Sequence, residues 1–146
     1  MRTIDYIIIH CTATSKNVTH QVILDGWRKK GWVSNGYHWL VSKNGLAARL
    51  QDDELVSNGV LGHNHESINL CYIGGIENGK AKDTRTDDQK GALLVLIEDY
   101  RNKYPGAIIL GHRDLSPDLN KNGIIESKEW IKICPCFDAK KEYKNI

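Results

Sequence analysis

The 146-residue sequence has no long apolar run, few prolines and no large excess of either charge. No stretch reaches the ~18 apolar residues of a membrane span, so we expect no membrane partner. Lys and Arg number 20 against 18 Asp and Glu, a net charge of +2. This balance is too weak to indicate nucleic-acid binding. The ordinary composition, with 40% hydrophobic residues, predicts one globular domain, and we expect a monomer.

The first ten residues, MRTIDYIIIH, lack the long apolar stretch and the small-residue cleavage site of a secretory signal. We therefore expect a protein that is made in the cytoplasm without a signal peptide. Four cysteines in such a chain are a poor disulfide framework. Metal binding or catalysis is the better starting hypothesis for them.

Six segments have the patterning of secondary structure. They are strands over 3–10, 68–75 and 107–112, helices over 19–30 and 86–104, and a hairpin over 36–50 that turns at Asn44-Gly45. The continuous apolar runs are typical of strands that are covered on both faces. A strand, a long helix and a strand form a crossover unit. We therefore predict an α/β fold, a single domain with a central mixed, mainly parallel β-sheet flanked by helices.

Two predicted strands end in histidine, His10 and His112. Ligands bind outside the carboxyl ends of strands in open α/β sheets, so these distant residues are candidates for one site. Cys134 lies in the later segment KICPCFD. Two imidazoles and a thiolate suit zinc and leave a fourth position for water, whose pKa zinc lowers to about 7. The alternatives are ordinary strand-end histidines and a buried structural thiol.

Five blocks of the sequence resemble the zinc-dependent N-acetylmuramoyl-L-alanine amidases, the family of phage lysozyme-amidases and peptidoglycan recognition proteins. The blocks occur in the family's order and cover most of the chain. They are IIIHCTAT (7–14), GYHWLVSKNG (36–45), NHESINLCYIGG (64–75), GHRD (111–114) and KICPCFD (132–138).

The resemblance implies that His10, His112 and Cys134 are zinc ligands, and that Tyr37 and Lys132 are catalytic. Tyr37 would orient or deprotonate the attacking water, and Lys132 would stabilise the oxyanion. The implied reaction cleaves the amide between N-acetylmuramic acid and L-alanine of peptidoglycan. It would be performed by a phage-type lysin that reaches the wall after release, or by an enzyme acting on cytoplasmic muropeptides. A non-catalytic peptidoglycan receptor on the same fold is the alternative.

The remaining cysteines are given other roles. Cys11 should point to the opposite side of its strand from His10 and lie in the core. Cys136 occupies a position at which the resembled family often has serine, so we expect an unliganded thiol. A thiol oxidoreductase using Cys134 and Cys136 is a third hypothesis, but it lacks the C-x-x-C spacing and leaves the two histidines unexplained.

Residues 118–129, DLNKNGIIESKE, match the calcium-loop pattern D-x-[DN]-x-[DN]-G-x5-E. The expected calcium ligands are Asp118, Asn120, Asn122, the carbonyl of Ile124, and Glu129. A polar Asn-Gly turn is the alternative interpretation. This insertion also contains Lys121 as a rival to Lys132. His65, in the NHES segment, is a further candidate for the substrate wall.

Overall fold

Seven strands and three α-helices make up the structure, a computed structural model that describes all 146 residues. In chain order they are β1 (Tyr6–Cys11), α1 (His20–Lys29), β2 (Trp39–Val41), β3 (Ala47–Arg49), β4 (Ser67–Tyr72), β5 (Ile76–Glu77), β6 (Lys80–Ala81), α2 (Asp87–Lys103), β7 (Ile108–Gly111) and α3 (Ala139–Glu142). Three short 3-10 helices lie at Asn64–Glu66, His112–Leu115 and Ser127–Glu129. None of the helices has the length and apolar character to cross a bilayer.

Five strands form one sheet in the order β3-β2-β4-β1-β7, and β5 pairs with β6 in a separate hairpin. β1 lies between β4 and β7 and runs parallel to both, while β3 is the antiparallel edge strand. α2 connects β4 to β7 as a crossover that passes β1. The predicted α/β class with a mixed, mainly parallel sheet is confirmed.

Successive side chains of β1 point to opposite faces of the sheet. Ile7 and Ile9 join a cluster of buried apolar side chains that includes Leu93 of α2. His10 shares the other face, where Ile23 of α1 packs against the sheet. The alternation therefore places His10 on the α1 side, away from the main apolar core.

Two predicted strands are longer than the observed ones. The strand predicted at 68–75 ends at Tyr72, because two glycines with positive φ turn the chain shortly afterwards. The strand predicted at 107–112 ends at Gly111, whose backbone N–H donates to the Asp114 carboxylate at 2.8 Å instead of continuing the ladder. His112 consequently opens a 3-10 helix.

The other elements lie close to their predicted positions. The strand predicted at 3–10 begins three residues later and continues to Cys11, which pairs with β4, so His10 lies inside the strand. Thr19 caps α1 through its side chain. Thr86 and Gln89 form the predicted capping box of α2. The predicted hairpin of β2 and β3 is present, but its turn is centred on Lys43 and Asn44, one residue earlier than predicted, because the N–H of Gly45 donates to the carbonyl of Ser42 at 2.9 Å.

Candidate metal centre

Three potential metal ligands from distant parts of the chain meet beside the carboxyl ends of β1 and β7. His10 lies near the end of β1, His112 follows β7 directly, and Cys134 lies on the C-terminal loop. Their ligand atoms all lie within 4.8 Å of one another. The structure therefore brings together the three residues that the sequence nominates as zinc ligands.

The segments that carry His112 and Cys134 are held together by backbone contacts. The N–H of Arg113 donates to the carbonyl of Cys134 at 2.9 Å. A Cβ at Gly111 would lie 2.6 Å from Cδ of Pro135, so only glycine lets the C-terminal loop approach this closely. These contacts fix the spacing of His112 and Cys134 before any ion binds.

The two imidazoles are electrically neutral at neutral pH. Burial lowers the pKa of His10 to about 4, against the raising effect of its hydrogen bond to Asn69. Burial also lowers the pKa of His112 to about 3, with the charges of His10 and Lys132 as smaller causes. A metal ligand must carry a free lone pair, and a neutral imidazole does. Both histidines are therefore in the state that binds a metal ion.

The donor set fits zinc. Nδ1 of His10 lies 3.8 Å from Sγ of Cys134, close to the ~3.6 Å that separates nitrogen and sulfur ligands around a tetrahedral zinc ion. The backbone N–H of Cys11 donates to Sγ of Cys134 at 3.2 Å and helps to hold the sulfur in place. Three protein ligands leave one tetrahedral position for water or substrate.

The predicted catalytic residues line the same cleft. Tyr37 and Lys132 lie on the wall that also contains His112 and Cys134. The Tyr37 ring centroid is 5.0 Å from that of His10. Lys121, the rival of Lys132, is exposed and is not among the cleft-lining residues. The placement therefore favours Lys132.

Tyr37 is positioned by α1. A Cβ at Gly36 would lie 2.7 Å from the Trp27 ring, so glycine allows the chain to pass against this side chain. The Trp27 and Tyr37 ring centroids are 5.5 Å apart. Burial is the main cause that raises the pKa of the Tyr37 phenol well above its ordinary value. The hydroxyl is therefore protonated at neutral pH and can donate a hydrogen bond.

The other thiols are separate from the ligand set. All four cysteines are free. Cys11 is 3% exposed and lies in the core, as the strand alternation predicts. Sγ of Cys136 lies 3.8 Å from Sγ of Cys11 and is not paired with Cys134. This arrangement offers no support for an oxidoreductase that uses Cys134 and Cys136.

The predicted calcium loop is closed by hydrogen bonds to its own backbone. Asp118 accepts from the N–H groups of Asn122 and Gly123 at 3.2 and 2.7 Å. Glu129 accepts from three backbone N–H groups, among them that of Asn120 at 3.1 Å. Ile124 is exposed on the same loop. The carboxylates thus satisfy the loop backbone, and calcium binding stays a prediction.

His65 is not brought to the cleft. It lies exposed in the 3-10 helix Asn64–Glu66, and its carbonyl accepts from the Arg2 guanidinium at 3.2 Å.

Sequence reasoning also missed residues that do lie at the site. Trp32 and Lys30 line the cleft, and Asn69 hydrogen-bonds His10. The available signal for Asn69 was an amide inside an otherwise apolar strand, INLCYI.

Known proteins similar to this chain include an amidase family and phage endolysins. The family model described as N-acetylmuramoyl-L-alanine amidase matches residues 1–126. The endolysin of Escherichia phage T7 is 32% identical over 140 residues, which cover 94% of this chain and 83% of the endolysin. An uncharacterised protein of Haemophilus influenzae is 49% identical over 81 residues, which cover 55% of this chain and 70% of that protein.

Solved structures share the fold at lower identity. The N-acetylmuramoyl-L-alanine amidase LysC from Clostridium intestinale has a TM-score of 0.71 at 22% identity, covering 97% of this chain and 82% of LysC. Drosophila PGRP-LB has a TM-score of 0.70 at 18% identity, covering 99% of this chain and 82% of PGRP-LB. With the family match and the endolysin relatives, these findings show that the chain belongs to the N-acetylmuramoyl-L-alanine amidase family.

Proposed function

We propose that the protein binds zinc between His10, His112 and Cys134 and thereby hydrolyses the amide between N-acetylmuramic acid and L-alanine in peptidoglycan. The amidase activity follows from the family and from the endolysin relatives. The zinc proposal depends on one observation above all. Residues up to 124 positions apart bring their ligand atoms within 4.8 Å of one another.

We assign a different part of the reaction to each residue around the centre. Bound zinc would supply Lewis acidity, polarising the amide carbonyl and lowering the pKa of water. Lys132 presents an ammonium group at the cleft, and we assign it to stabilising the oxygen that becomes negative during attack. Tyr37 offers a protonated hydroxyl that orients the attacking water. His10 and His112 donate neutral nitrogens, and Cys134 supplies a thiolate.

Product analysis tests this proposal directly. Purified peptidoglycan is incubated with zinc-loaded protein and, separately, with chelated protein, and the products are identified by mass spectrometry. We expect stem peptides with a free N-terminal L-alanine only in the presence of zinc. Wall material that stays undigested with zinc-loaded protein would contradict the proposal.

Two cysteine variants identify the ligand. Cys134→Ser should lose zinc and activity, since serine is a poor zinc ligand at this position. Cys136→Ser is the matched control, because Cys136 lies on the same loop as Cys134 but its sulfur contacts Cys11 of β1. This variant should leave the zinc content unchanged. Loss of zinc from Cys136→Ser alone would show that the ligand assignment is wrong.

We further propose that the chain acts as a monomeric lysin on the polymeric wall, with neither nucleic acid nor membrane as partner. Residues 1–146 would form one amidase domain, supported by an apolar cluster that includes both Ile4 and Tyr143. Digestion of intact sacculi but not of soluble muropeptides would support the lysin role. The receptor alternative predicts pull-down by peptidoglycan without cleavage, at any zinc concentration.

Calcium binding by residues 118–129 is a separate proposal. It is supported by the match to the ligand pattern and by the side-chain oxygens of Asp118 and Asn122, which accept hydrogen bonds from backbone N–H groups of the same loop. Calcium added to zinc-loaded protein, after treatment with a calcium-selective chelator, should raise the melting temperature. Glu129→Gln should remove this response. A melting temperature that calcium does not change would refute the proposal.

A further inference from the structure

A chain of buried polar groups extends from the metal centre into the fold. Nε2 of His10 lies 2.7 Å from Oδ1 of Asn69, and Nδ2 of Asn69 lies 2.9 Å from Oγ of Ser57. Oγ of Ser57 lies 3.1 Å from Nδ1 of His38, and Nε2 of His38 lies 3.0 Å from the carbonyl of Leu55. The four residues are at most 1% exposed, so their hydrogen bonds to protein groups, rather than to water, determine which atom of each bond carries the proton.

Two backbone groups fix the direction of these hydrogen bonds. The carbonyl of Leu55 only accepts, so Nε2 of His38 is the donor. The backbone N–H of Asn69 only donates, and it lies 3.0 Å from Nδ1 of His38, which therefore carries the lone pair. The Ser57 hydroxyl must then donate to Nδ1 and accept from the Asn69 amide. This leaves Oδ1 of Asn69 as an acceptor, and Nε2 of His10 as its donor.

We propose that Asn69 is a positioning residue, which holds His10 in the tautomer with its proton on Nε2 and its lone pair on Nδ1. Nδ1 is the atom that faces Sγ of Cys134 at 3.8 Å. The inference rests on the proposed function, because the direction of this lone pair matters for an ion bound at the centre. A hydrogen bond to the second nitrogen of a metal-binding imidazole fixes both tautomer and ring orientation.

The position of Asn69 is itself tightly constrained. Asn69 of β4 pairs with Ile8 of β1, two positions away from the pair that His10 makes with Cys71, so the side chains of Asn69 and His10 share one face of the sheet. Its Nδ2 has a second acceptor in Oγ of Ser67 at 3.2 Å. A Cβ at Gly59 would lie 2.3 Å from Oδ1 of Asn69. The amide cannot rotate without losing hydrogen bonds, and glycine at 59 makes room for it.

Zinc affinity of the full-length chain tests the proposal, measured by competition with a chromophoric chelator. Asn69→Leu should weaken zinc binding about 10- to 100-fold. Asn69→Asp keeps an acceptor oxygen and should restore affinity to the wild-type level or above. Gln89→Met is the matched control, because Gln89 is also buried but hydrogen-bonds Val41 and Ile73 carbonyls away from the centre. It should lower the melting temperature and leave zinc affinity unchanged.

The tautomer of His10 provides a readout that needs no variant. In zinc-free wild-type protein, the imidazole nitrogen chemical shifts of His10 should show the proton on Nε2, and a proton on Nδ1 would overturn the proposal. Equal zinc affinity in the wild type and a folded Asn69→Leu variant would also overturn it. Absence of zinc binding by the wild type would instead overturn the proposed metal centre. The two failures are therefore distinguishable.

Discussion

The buried imidazole of His38 makes the stability of the fold depend on pH. Burial lowers the pKa of His38 to about 4, while its ordinary value is 6.5. Between these values the unfolded chain binds more protons than the folded protein, so the free energy of unfolding decreases as the pH falls. The difference between the two pKa values corresponds to a loss of about 3 kcal/mol of unfolding free energy once the pH is below 4. About 2 kcal/mol of this is already lost at pH 5.

Urea unfolding at pH 7 and pH 5, in the presence of a chelator, isolates this contribution. The comparison is between the wild type and His38→Gln, because glutamine does not titrate and the other groups contribute equally to both proteins. Lowering the pH should shift the difference in unfolding free energy by about 2 kcal/mol in favour of the variant. Parallel pH dependence in the two proteins would refute the reasoning, since His38 would then not be held neutral by the fold.

Substitutions at three other positions test different parts of the structure. Lys132→Met should reduce turnover about 10²- to 10³-fold at unchanged zinc affinity, and a parallel loss of zinc would contradict its assigned role. Gly111→Ala should cost about 1–3 kcal/mol of stability, read by thermal unfolding, because its Cβ would meet Pro135. Arg85→Met should lower the free energy of unfolding by about 1–3 kcal/mol, measured by urea unfolding, because it removes the hydrogen bonds that the buried guanidinium donates to Glu142. Zinc affinity of the folded Arg85→Met protein should not change.

The sequence is most informative where a local pattern has one structural solution. Apolar strands and the crossover unit predict a parallel sheet, and the rule for strand ends brings His10 and His112 to one edge. Cys134 is a candidate by its ligand chemistry, but only the resemblance separates it from the other cysteines, because no local spacing connects a C-terminal loop with β1. The predicted strand ends are wrong where glycines or the Asp114 carboxylate interrupt the ladder.

The contacts of Asn69 and Cys136 could not be predicted, for a different reason. Each depends on which residues of two non-adjacent segments lie opposite each other. The pairing of Ile8 with Asn69 brings the Asn69 amide beside His10, and the path of the C-terminal loop places Cys136 against Cys11. Packing of the whole chain decides both, so the sequence shows an amide inside an apolar strand but not which residues that amide contacts.

The long separation of the proposed metal ligands has a consequence for when the enzyme would become active. His10 and Cys134 are 124 positions apart, so a growing polypeptide contains the first ligand long before it contains the last. A truncated or unfinished chain that stops before Cys134 cannot complete the centre. A zinc ion bound at the proposed centre would connect β1 with the C-terminal loop, and removing the ion would leave the two segments without this connection. With the proposed ligands, catalytic activity would therefore begin only after the chain has been synthesised and folded as far as this loop.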